Sequence, residues 1–135
     1  MTENMKRKIN FYPLCEAVIH NDIEGFNKLI DSGVDVDGVD YNHITALHYA
    51  TSRGNITMIK KLLEKGADIE FRDPWGNTPL SNAVFYALDF DNGIEIINLL
   101  ISYGADINAK NNYGVSPKSL AKTIAGFPEL EVFKD

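Results

Sequence analysis

Residues 45–69 read TALHYATSRGNITMIKKLLEKGADI, and two helices with their starts and one stop are written in that stretch. Thr45 is a hydroxyl N-cap, followed by Ala46, a residue suited to the first helical position. Asn55 is a second N-cap. Behind it Ile56, Ile59, Leu62 and Leu63 fall at i, i+3, i+6 and i+7, one face of a helix. Gly66 then stands where a helix C-terminus takes a left-handed residue.

The same text recurs on both sides. Leu14, Leu47 and Leu80 step by 33 residues, as do Ala17, Ala50 and Ala83. Gly33 and Gly66 keep that step, and Gly104 follows after 38, with Asp35, Asp68 and Asp106 in the same rhythm. Five residues are therefore inserted between Leu80 and Gly104. The apolar quartet returns as Ile23, Phe26, Leu29 and Ile30, and as Ile94, Ile97, Leu100 and Ile101. Asp22 and Gly93 precede those quartets as the expected N-caps. The shorter first helix opens again at Thr78-Pro79 and Ser116-Pro117, and at Tyr12-Pro13 without the hydroxyl. The Gly-, Asp- and Asn-rich segments between units read as extended turns.

Two helices and a projecting turn every 33 residues resemble the ankyrin repeat. Thr45-Ala46-Leu47-His48-Tyr49-Ala50 is similar to that family's Thr-Pro-Leu-His opening. Leu62-Leu63-Glu64-Lys65-Gly66-Ala67-Asp68-Ile69 is similar to its second-helix ending. The resemblance implies an all-α solenoid of stacked helix–turn–helix units in a single domain over 1–135. Its units are a divergent N-terminal cap at 9–40, repeats at 41–73 and 74–111, the latter carrying the insertion, and a truncated C-terminal cap at 112–135. Lys118 stands where Leu14, Leu47 and Leu80 stood, as suits a terminal unit whose outer face meets water.

Composition agrees with a folded chain. Of 135 residues 44% are hydrophobic and 24% charged, ordinary globular values. The formal charge of −6, from 13 basic and 19 acidic residues, argues against nucleic acid or an anionic membrane as the main partner. Lone Cys15 cannot form an internal bridge, which points to a reducing compartment. No apolar run follows Lys6-Arg7-Lys8 to make a signal peptide, and none reaches the ~20 residues of a membrane span. The expectation is a small cytoplasmic protein, a monomer when free.

Candidates for chemistry weaken once the period is laid over them. Cys15, His48, Ser81 and Ser119 share one repeat position, and equivalent helices in a stack lie about 8–10 Å apart, too far for a nucleophile–base hydrogen bond. In ankyrin-like repeats this position braces the neighbouring turn. His20 and His43 lack partners at zinc-ligand spacing. Asp35-Val36-Asp37-Gly38-Val39-Asp40 lacks the glutamate that ends a calcium loop. The expectation is no enzyme, no metal and no cofactor.

Protein binding is what remains. By the resemblance the turn tips are Tyr41 and Asn42, Pro74 and Trp75, and Asn112 and Tyr113, and the concave face continues through Arg72 to Arg53, Phe85 and Tyr86. Aromatic residues dominate binding hot spots. An aromatic before a turn glycine, as in Trp75-Gly76, also has a second use, packing on the next tip. In the insertion Asp89, Phe90 and Asp91 extend beyond the neighbouring loops, and two roles are open to Phe90: touching a partner or folding back over the helix pair. Asp31, Asp35, Asp37 and Asp40 form an acidic cluster able to steer a basic partner. A small, acidic, stand-alone stack resembles immunity or antitoxin proteins, which cover the basic active site of a toxin or effector. The rival expectation is a generic adaptor or scaffold, host-directed or not, that blocks no enzyme. An enzyme with an unrecognised site stands third.

Overall fold

The predicted hydroxyl caps close on their helices. Thr45, Thr78 and Ser116 accept from the backbone N–H of His48, Ser81 and Ser119 at 3.3, 3.4 and 3.1 Å. A cap of this kind contributes about 1 kcal/mol by satisfying an N–H that the helix itself cannot. The computed structural model describes residues 12–135. Residues 9–11, where the first expected unit opens, and Lys6-Arg7-Lys8 lie outside the described residues.

Seven α-helices are present among the described residues: α1 Pro13–Ile19, α2 Ile23–Asp31, α3 Ala46–Ser52, α4 Ile56–Glu64, α5 Pro79–Tyr86, α6 Gly93–Ser102 and α7 Pro117–Thr123. Two short 3-10 turns, Ala87–Asp89 and Glu131–Phe133, complete the set. The odd-numbered helices pack side by side in the order α1, α3, α5, α7, and each of the first three is backed by its own second helix. Their contact row is made of Leu14, Leu47 and Leu80 with Ala17, Ala50 and Ala83, all buried. The alanines let the backbones approach, and the leucines fill the space between. The second layer adds Phe26, Ile59, Leu62, Ile97 and Leu100, buried at 0% exposure. Each such side chain is worth about 1.5–3 kcal/mol of transfer free energy. The stack is an all-α solenoid. Among the described residues its turns carry only an isolated antiparallel bridge, between Val39 and Thr45.

Helix ends follow the sequence with one exception. Gly33, Gly66 and Gly104 adopt φ of +80°, +85° and +94° just past α2, α4 and α6. Asp22 and Asn55 cap α2 and α4 by accepting from Gly25 and Met58 N–H at 3.0 and 3.1 Å. The third member departs from expectation, because Gly93 is the first residue of α6 and Asn92 holds the cap position without a side-chain bond. The Asn92 amide is used elsewhere, donating to Gly54 O at 3.1 Å. Gly93 lies so close under the preceding 3-10 turn that a Cβ there would sit 1.9 Å from Ala87 O.

The last unit has no second helix. Its place is taken by the chain from Ile124 to Phe133, with Phe133 buried in the core and its ring centroid 6.3 Å from that of Phe127. Lys118 and Lys122 hold the tail down through Asp135 at 2.8 and 2.9 Å. The polar Lys118 thus serves as one anchor of an apolar flap.

Candidate protein-binding groove

Each turn is built around one carboxylate or amide oxygen. Asp73 Oδ1 accepts from the N–H of Trp75 and Asn77 at 3.0 and 2.9 Å, and Asn111 Oδ1 from Tyr113 and Val115 at 2.9 and 3.0 Å. Asp40 Oδ1 does the same for Asn42 and Ile44 at 3.0 and 3.1 Å. This self-contained turn is why Asp or Asn recurs there. Neighbouring turns are then bolted together. Arg72 Nη1 donates to Gly76 O at 2.9 Å and to Lys110 O. Asn112 gives its backbone N–H to Trp75 O and its side chain to Pro74 O, at 3.0 and 3.1 Å. Arg72 and Asn112 therefore position Trp75 and Tyr113.

The repeat position shared by Cys15, His48, Ser81 and Ser119 braces turns where its residue can reach. His48 Nε2 donates to Asn77 O at 2.9 Å, and its Nδ1 is 2.7 Å from the Thr45 hydroxyl. A carbonyl on one side fixes the proton on Nε2, so Nδ1 accepts. Burial pushes the His48 pKa down. Cys15 Sγ donates to Ile44 O at 3.4 Å, and burial, reinforced by Asp40 and Glu16, pushes the thiol up to about 12. Ser119 turns back to its own cap, sharing hydrogen bonds with Ser116. Among the described residues no group of three His, Cys, Asp or Glu side chains is placed to hold a metal.

Between the turn tips and the exposed side of α3, α5 and α7 runs an open groove of about 710 Å³. Of the residues singled out in the sequence, Trp75, Phe85, Tyr86, Tyr113 and Arg53 line it. Trp75 is 51% exposed, Phe85 61% and Tyr113 73%, so three large exposed rings share one concavity. Phe85 and Tyr86 meet edge to face at 4.9 Å. Tyr49, Asn82 and Leu120 also line it and went unnoticed in the sequence. They carry a usable signal, since they share one period position and Tyr49 and Asn82 lie one turn ahead of Arg53 and Tyr86.

The other singled-out residues fall outside the groove lining. Tyr41, 78% exposed, and Asn42 stand on the first tip. Arg72 is committed to carbonyls. Asp89 and Asp91 are exposed on the insertion. Phe90 folds back: its ring lies over Gly54 in the α3–α4 loop, so the insertion is tied to the stack rather than projecting from it. The acidic cluster is likewise partly consumed. Asp35 Oδ1 accepts from Asp37 N–H at 3.0 Å, and Asp37 Oδ1 from Asp68 N–H at 2.7 Å. Asp40 Oδ2 accepts from the Tyr49 hydroxyl, and burial with that bond pushes the Tyr49 pKa up. Glu70 repeats the inter-unit role of Asp37, accepting from Asp106 N–H at 2.8 Å, and burial raises its pKa. No helix among the described residues is long and apolar enough to cross a membrane.

Comparison with known proteins agrees with this architecture. A family model described as ankyrin repeats (3 copies) matches residues 14–111. The chain is 35% identical to serine/threonine-protein kinase 12 of Arabidopsis thaliana over 82% of its own length and 22% of the kinase. It is 36% identical to an ankyrin repeat-containing protein of Schizosaccharomyces pombe, over 76% of this chain and 46% of that one. Ankyrin repeat and SOCS box protein 5 of Oryctolagus cuniculus is 39% identical over 82% of this chain and 32% of its own. The chain thus spans less than half the length of each. With the period, the caps, the row of paired helices and the family match in agreement, the chain belongs to the ankyrin-repeat family, whose stacks are protein-interaction modules.

Proposed function

We propose that the chain captures one protein partner in the groove between Trp75, Tyr113, Phe85 and Tyr86, and that it acts by occlusion, as an immunity- or antitoxin-type inhibitor covering an effector enzyme. The observation that carries the binding site is the gathering of exposed rings around one concavity. Apolar surface of that kind, rimmed by polar groups, is what a partner desolvates. The groove is preformed, because the turn tips are fixed to each other by Arg72 and Asn112, so docking costs little ordering. A basic partner surface would also meet Asp89 and Asp91, exposed on the insertion.

A second reading, an adaptor that tethers its partner without blocking it, is favoured by the relatives, in which the matching stretch is a fraction of a longer chain. One experiment separates the two. A photoreactive residue is placed at Tyr113 in the groove and, as a control, at exposed Lys60 on α4. Adducts from Tyr113 alone identify the partner and support the groove. Stoichiometric loss of the partner's activity on titration then supports inhibition, and unchanged activity supports the adaptor. Adducts from Lys60 alone would move the site to the outer helices and defeat the proposal.

A further inference from the structure

The groove's polar atoms divide into those the fold uses and those it leaves. Asp73 Oδ1 is taken by two backbone N–H groups. Asn111 is taken at both ends, its Nδ2 donating to Asn77 Oδ1 at 2.9 Å. His48 has both ring nitrogens engaged, and Ser52 Oγ donates to Tyr49 O at 3.0 Å. Left without a hydrogen bond among the described residues are the Arg53 guanidinium, the permanent cation of the lining, and the Asn82 side-chain amide, together with Asp73 Oδ2, Trp75 Nε1 and the Tyr86 and Tyr113 hydroxyls.

Arg53 is held in place without being neutralised. Its guanidinium carbon lies 5.6 Å from the centroid of the Tyr49 ring, and that ring is pinned by its hydroxyl to Asp40. A cation over an aromatic face is oriented and partly desolvated while keeping its N–H fork free. Among the described residues no carboxylate forms a salt bridge with Arg53. One period further on, the equivalent residue is Tyr86, packed edge to face on Phe85, and both rings line the same groove as Arg53. An arginine fork held on a ring with no carboxylate of its own favours a carboxylate, which it can bind through two parallel hydrogen bonds.

Resting on the groove reading above, we propose that the occupant is an extended segment of the partner protein bearing one Asp or Glu. Its carboxylate pairs with Arg53, the Asn82 amide bonds its backbone, and an apolar side chain packs on Trp75 and Tyr113. A single carboxylate is selected rather than an acidic run. The chain carries a formal charge of −6, and Asp89 and Asp91 stand exposed on the insertion tied to the loop beside Arg53, so further negative charge on the segment is repelled.

The test is selection of a random linear peptide display library on the full chain, run in parallel on Trp75→Ala, Arg53→Gln and Arg53→Glu. Both positions are exposed, and unchanged helical circular dichroism verifies folding. The expected result is enrichment of peptides with one Asp or Glu a few residues from an aromatic or aliphatic side chain. Their affinity falls at least about tenfold on Arg53→Gln, the scale of a lost charged hydrogen bond, and Arg53→Glu selects Lys or Arg at the same place. Peptides that need Trp75 but show no acidic preference, or a basic one, overturn the carboxylate inference and leave the groove standing. Peptides indifferent to Trp75→Ala, or no enrichment at all, overturn both.

Discussion

The ring of Phe90 lies against Gly54 so closely that a Cβ on Gly54 would sit 2.6 Å from Phe90 Cγ. Gly54 also adopts φ +67°, where side chains are disfavoured. Two independent penalties therefore meet at one residue. Gly54→Ala is expected to cost about 2–3 kcal/mol in urea denaturation. In the Phe90→Ala background the cost shrinks toward the backbone share of about 1–2 kcal/mol. Strict additivity of the two substitutions would show that the ring does not occupy this place in solution.

His48 gives the fold a pH dependence of known sign. Its pKa is lowered in the folded state by burial, so below the unfolded value of about 6.5 the unfolded chain binds the extra proton. Stability is complete above that pH and is lost as pH falls through the folded pKa. Denaturant midpoints should drop between pH 7.5 and 5.5, and His48→Gln should flatten that slope. A slope that survives the substitution assigns the proton elsewhere.

The Cys15 thiol is buried and raised to about 12, which leaves almost no thiolate at neutral pH. A disulfide reagent at pH 8 should react slowly with the native protein and at once in denaturant. Rapid reaction of the folded chain would mean that α1 opens readily.

Removing the flap should hurt more through its ring than through its charge. Phe133→Ala empties a buried site and is expected to cost about 2–4 kcal/mol. Asp135, held well down to about 2 by Lys118 and Lys122, is fully exposed, and exposed pairs contribute little. Asp135→Asn should leave the thermal midpoint nearly unchanged. Equal effects of the two variants would show that the ion pairs, not Phe133, retain the tail.

The sequence displayed the stack because its signals are local and repeated. Thr45, Asn55 and Gly66 each act within one helical turn, and the period copies them. Two departures were not legible. Asn92 replaces Gly93 as cap because its amide reaches Gly54, 38 residues back, and no local pattern encodes such a reach. The flap over α7 was hidden because Ile124, Phe127, Leu130 and Phe133, spaced three apart, are interrupted by Gly126 and Pro128, which break a helix there. They are apolar only where the fold leaves an open end. In the groove, Trp75 and Tyr86 were found from repeat position alone. Tyr49 was passed over because a tyrosine on a short helix reads equally well as core, and its half-buried ring does pack against the core while its hydroxyl reaches Asp40.

The staple of Phe90 on Gly54 also limits how this gene can change. Side-chain bonds between units join positions 29 to 38 residues apart, so each unit touches only its neighbours, and a plain unit could be duplicated in tandem without redesign. The unit with the insertion could not. A copy stacked on its parent would bring its phenylalanine over the segment after α5, where the 3-10 turn Ala87–Asp89 stands in place of a glycine loop. The insertion therefore fixes an order of units, with a glycine-bearing loop upstream of it.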